Sequence, residues 1–139
     1  MSALPAVAGI AAAVAVAIFA RFVGFDRERA FYPVVLVVIA SYYELFAIIG
    51  GGQALVSETI GFVLFAAAAT IGFRTSLWIV VGALAAHGVF DFVHPNLVDN
   101  AGVPTWWPSW CLAYDLAAAA CLAALIRTGA ISARAIHSA

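Results

Sequence analysis

Residues 76–95 read SLWIVVGALAAHGVFDFVHP. At 1.5 Å of rise per residue, a helix of this length crosses the hydrocarbon core of a bilayer, and Pro95 marks its end. The stretch has no lysine or arginine, yet it carries His87, Asp91 and His94. Their i, i+4, i+7 spacing places all three on one helical face. The rest of the chain decides what surrounds that face. Of 139 residues, 66% are hydrophobic and 9% charged, more apolar surface than a soluble domain of this size can bury, so the excess must face lipid.

Working outward from this segment, four more apolar runs are long enough to span a membrane. The expectation is an all-α integral membrane bundle of five transmembrane helices in a single domain covering residues 1–139. The spans fall near residues 4–23, 31–50, 54–73, 76–94 and 105–126. Arg21, Arg27 and Arg29 follow the first span, Arg74 separates the third and fourth, and Arg127 and Arg134 follow the fifth. Five spans put every arginine on one side. The positive-inside rule makes that side cytoplasmic, with the N-terminus outside and the C-terminus in the cytoplasm. Trp106, Trp107 and Trp110 fit an interfacial belt at the outer end of span five. The first run has positive charges after it rather than before it, the reverse of a secretory signal, and reads as a span. The 26–29 run, Asp-Arg-Glu-Arg, reads as a solvated inner loop, and His137 as part of an uninvolved tail.

Six ionisable groups then fall in the outer half of the bundle: Glu44, Glu58, His87, Asp91, His94 and Asp115. Glu44 lies six residues before Gly50, about 9 Å down, and His87 lies seven before His94, about 10 Å down. Asp115 reaches a similar depth on span five, where Trp107, Cys111 and Asp115 share a face. Intramembrane ionisable groups are costly and usually mark function. The expectation is one interior pocket open to the periplasmic side, lined also by Tyr43, Asn96, Trp107 and Cys111.

Imidazole and carboxylate together suit zinc, with iron or manganese as alternatives. His87 and His94 are about 10 Å apart along the axis and strain to share one ion. The expected ligand set is therefore His87, Asp91 and a carboxylate from Glu44 or Asp115, with His94 a rim ligand or the holder of a second ion. A metal-bound water turns acidic near neutral pH and attacks esters or amides. Glu44 or Asp115, left free, would take the proton. This points to a metal-dependent hydrolase acting on a lipid-like or apolar substrate. Two other readings use the same residues: a proton or metal-ion transporter, and a non-catalytic binding protein or complex subunit. Glu58 reads as a wet residue in an early helical turn, and Asp99 and Asn100 as ordinary loop residues. Cys111 and Cys121, ten residues apart on one helix, rise about 15 Å and cannot bridge. The chain has no lysine, which excludes a retinal Schiff base, and its near-zero net charge argues against nucleic acid. Alanine-rich faces invite a homodimer. The absence of lysine beside abundant alanine and arginine suggests the inner membrane of a GC-rich bacterium.

Overall fold

A computed structural model describes residues 3–135, and His137 lies outside them. The described residues form five long helices: α1 (Leu4–Val23), α2 (Phe31–Ile49), α3 (Leu55–Arg74), α4 (Leu77–Val93) and α5 (Trp107–Arg127). Each matches an expected span to within two residues at either end. All five are long and apolar enough to cross a membrane. Their outward faces carry large apolar side chains, such as Phe22 at 91% and Val56 at 74% exposure. Apolar surface on that scale belongs against lipid.

Local chemistry explains where the helices begin and end. Pro5 and Pro108 sit in first turns, where the missing N–H is not needed. Ser76 caps α4 by accepting a hydrogen bond from the Trp78 amide. The α2–α3 turn uses Gly51 and Gly52 at positive φ, 98° and 85°, which other residues rarely adopt. After α4 a short 3₁₀ turn (His94–Asn96) leads through Pro95 into the loop that returns to α5.

Helix α5 packs along both α1 and α4, while α3 packs against α2 and α4, and α2 also touches α4. The first helix therefore finds its partner in the last rather than in its sequence neighbour. Small residues allow this. A Cβ on Gly9 would collide with the Trp110 carbonyl, and one on Gly88 would sit 3.1 Å from Asp115 Cβ and 3.2 Å from the Leu112 carbonyl. Leu36, Leu77, Val80, Leu84 and Leu122 are fully buried and form an apolar core in the half of the bundle nearer the arginines.

The 26–29 run is more than a solvated loop. Asp26 is buried with Arg21 3.3 Å away. Arg29 donates hydrogen bonds to the carbonyls of Phe73 (3.0 Å), Ser132 (2.6 Å) and Ala133 (2.9 Å). A guanidinium suits the open carbonyls at the end of α3. These bonds gather the α1–α2 loop, the end of α3 and the segment after α5 at one end of the bundle.

Candidate metal centre

Four side chains from α4 and α5 converge at the other half of the bundle. His87, Asp91, Cys111 and Asp115 each offer one ligand atom, and these atoms lie within 4.8 Å of one another. Helical periodicity places them: His87 and Asp91 are one turn apart on α4, and Cys111 and Asp115 one turn apart on α5. Gly88 lets the two helices approach closely enough for the faces to meet. None of the four is more than 1% exposed.

His87 Nδ1 and Asp115 Oδ2 share a hydrogen bond of 2.7 Å. Asp91 Oδ2 lies 3.2 Å from the same nitrogen, but one ring nitrogen holds one proton. Both Asp91 oxygens, and Asp115 Oδ1, are left buried without a hydrogen-bond partner. Cys111 Sγ lies 3.9 Å from Asp115 Oδ2. From α2, the buried Tyr43 hydroxyl lies beside Asp91. Phe65 and Phe90 wall the imidazole, with ring centroids 4.6 and 6.3 Å from that of His87. The space beside His87, bounded by Tyr43, Phe65 and Phe90, has no room for a substrate. The expected outward-opening pocket is thus closed over.

Comparison with family models, with curated proteins and with solved structures found no match for this chain. The chemistry of the site has to be read from its own geometry.

The other expected residues separate into distinct places. Glu44 stands outside the four-residue group, and its Oε1 accepts a hydrogen bond of 2.8 Å from Thr59 on α3. Tyr43 and Glu44 are neighbours on α2, so about 100° of rotation separates them, and when Tyr43 faces α4 Glu44 cannot. His94 is buried one turn beyond Asp91 and pairs with Glu58 rather than with His87, Nε2 to Oε1 at 2.8 Å. Glu58 is buried too, at 2% exposure, and is not the wet residue its early-turn position implied. Asn100 is also more than loop filling. Its amide donates to Glu58 Oε1 (2.8 Å) and to the Tyr43 carbonyl (3.3 Å), and its oxygen accepts from the Gly102 amide (3.2 Å). Asn96 is exposed and lines a surface groove with Thr105 and Trp106. Trp107 is buried against Tyr42 and Phe46 of α2, which leaves Trp106 as the most exposed of the three outer tryptophans.

The four-residue group can hold a metal ion. A tetrahedral ion with bonds of about 2.0–2.3 Å sets neighbouring ligand atoms about 3.3–3.7 Å apart. The His87–Asp91 and Cys111–Asp115 separations of 3.2 and 3.9 Å bracket that range, and His87–Asp115 at 2.7 Å needs to open by less than 1 Å. The carboxylates of Asp91 and Asp115 also set negative charge opposite a divalent cation in a medium where an unpaired charge is costly.

Proposed function

We propose that this integral membrane protein encloses one divalent cation between α4 and α5, held by His87, Asp91, Cys111 and Asp115, with zinc the preferred ion. The single observation that carries this reading is Asp91, a fully buried second carboxylate whose near neighbour, His87 Nδ1 at 3.2 Å, is already hydrogen-bonded to Asp115. A helix–helix clamp requires one acid opposite His87, and Asp115 already fills that part. A second acid is a burden without a cation and a ligand with one. The mixed nitrogen, oxygen and sulfur donor set suits zinc, since thiolates are uncommon ligands for manganese or magnesium.

The closed site favours holding an ion over hydrolysing a substrate. Catalytic zinc sites keep a coordination position open, whereas sites with four protein ligands are closed. Asp115 is itself a ligand in this reading, and Glu44 is engaged by Thr59, so neither is a spare base beside the ion. The arginine-rich end gathered by Arg29 faces the cytoplasm under the positive-inside rule. The cation then lies in the half of the membrane away from the cytoplasm, in the inner membrane if the source is bacterial. A homodimer formed through the small-residue faces is compatible with this arrangement.

The test is elemental analysis of the purified protein, with zinc titration of chelator-treated protein as a second measurement. Wild type should carry one zinc per chain, and His87→Ala and Asp91→Asn should lower that content sharply. Wild type that neither co-purifies with nor binds zinc, iron or manganese removes the proposal. So does a metal content that ignores both substitutions.

A further inference from the structure

A cation enclosed among four buried side chains needs a way in, and the structure is lopsided in what it offers. Toward the arginine-rich end, the next buried layers are Leu84 and Val80 on α4, Leu122 on α5 and Leu36 on α2. None of these side chains can replace water around an ion, and a bare charge in such surroundings is prohibitively costly. Toward the opposite end, further buried polar groups follow, set among aromatic side chains. Tyr43 stacks on His94 with ring centroids 4.1 Å apart, and its hydroxyl lies beside Asp91. His94 pairs with Glu58, which Asn100 also holds. Beyond His94 lies a cavity of about 280 Å³ under the α4–α5 loop, lined by His94, Asp99, Asn100 and Thr105 among others.

Burying a second acid–imidazole pair at this level is expensive, and a hydrophobic pair would seal the bundle as well or better. What Glu58 and His94 offer that a hydrophobic pair does not is a set of ligands. They repeat two of the donor types of the inner centre, a carboxylate and an imidazole, one step closer to the surface.

We infer that Glu58 and His94 form a transit station, through which a divalent cation passes between the α4–α5 loop cavity and the inner His87–Asp91–Cys111–Asp115 centre. Tyr43 lies between the two, and its hydroxyl stands where the ion would leave one carboxylate for the next. The ion exchanges its waters for Glu58 and His94 first and for Asp91 second, so it is never without oxygen or nitrogen ligands. Access is therefore one-sided, from the loop. This inference rests on the inner centre binding a cation, and its test keeps the two apart.

The experiment follows zinc loading of chelator-treated, detergent-purified protein by stopped-flow competition with a fluorescent zinc chelator. Final stoichiometry and affinity are measured on the same samples. Glu58→Gln and His94→Asn should slow both loading and release by about tenfold or more, as a raised barrier requires, while one zinc per chain is still reached at unchanged affinity. Thr105→Trp crowds the exposed rim of the cavity while Glu58 and His94 themselves stay unaltered, and it should slow loading in the same way. That third variant decides the matter if either buried substitution fails to fold. Loading at the wild-type rate in the folded variants overturns the route and leaves the inner centre standing. Loss of zinc at equilibrium in His94→Asn, with Thr105→Trp loading normally, also overturns it, because the pair then belongs to the centre itself. Wild type that takes up no zinc at all is the separate failure of the centre.

Discussion

Asp91→Asn distinguishes a metal ligand from a helix clamp by the sign of its effect. Asp91 is a buried carboxylate 3.2 Å from His87 Nδ1, whose proton is taken up by Asp115. Replacing it with the isosteric amide removes the charge without opening a cavity. A buried group short of hydrogen bonds costs more when charged than when neutral, so the variant should be more stable than wild type in chelator, by about 1 kcal/mol. Zinc reverses the order. At free zinc 100 times its dissociation constant, binding stabilises wild type by about 2.7 kcal/mol. A neutral amide is a much poorer zinc ligand than a carboxylate. If affinity falls about 100-fold, the same zinc concentration stabilises the variant by only about 0.4 kcal/mol. The zinc-induced shift should therefore shrink to about one-sixth, and the stability curves of the two proteins should cross as zinc is added. Thermal unfolding in detergent, followed by far-ultraviolet circular dichroism in chelator and in buffered zinc, measures all four values. A variant that is less stable than wild type in chelator, and that gains as much as wild type from zinc, refutes the reasoning and makes Asp91 a structural partner of His87.

Three further outcomes follow from the same geometry. Cys111→Ser should weaken zinc by about 10-fold or more while changing manganese affinity much less, because the thiolate is the soft ligand of the set; competition titrations with both metals check this. Gly88→Ala drives a Cβ against Asp115 Cβ and the Leu112 carbonyl, which should cost about 1–3 kcal/mol and lower zinc affinity. Gly82→Ala on the same helix meets no atom within 4 Å and should leave zinc affinity unchanged while adding about 0.5–1 kcal/mol of stability, as melting curves and metal titrations will show. Arg29→Ala removes hydrogen bonds from a charged donor, each worth about 1.5–3 kcal/mol. Limited proteolysis should then cut the 128–135 segment faster, and Arg29→Lys should restore only part of the protection because an ammonium lacks the planar fork.

The five spans were legible because hydrocarbon thickness fixes how long an apolar run must be, and no other constraint in the chain competes with it. The inner centre was half legible. The i, i+4 spacing of His87 and Asp91, and the matching depth of Asp115, single out their faces. Cys111 sits one turn from Asp115 on the same face, and that spacing was the available signal for a fourth ligand, though a buried cysteine more often only packs. Glu44 shows the limit of depth counting. Depth is a single coordinate, and the neighbouring tyrosine takes the direction toward α4. Glu58 and Asn100 were misread for a different reason. A position near a helix start suggests contact with water only until something covers it. Here the α4–α5 loop folds back so that Asn100 bridges Glu58 and the Tyr43 carbonyl, a contact spanning 42 residues that no local pattern encodes.

The pairing of first helix with last has a consequence for how the protein is made. The face of α1 around Gly9 fits against the Trp110 region of α5, and the Arg29 guanidinium waits for carbonyls 103 and 104 residues further along. During synthesis, α1 must reside in the bilayer without its mate until α5 has emerged. Ribosomes stalled before α5 would leave a nascent chain with an unsatisfied helix face and an unclaimed cation at the membrane surface, a form that quality-control proteases can recognise.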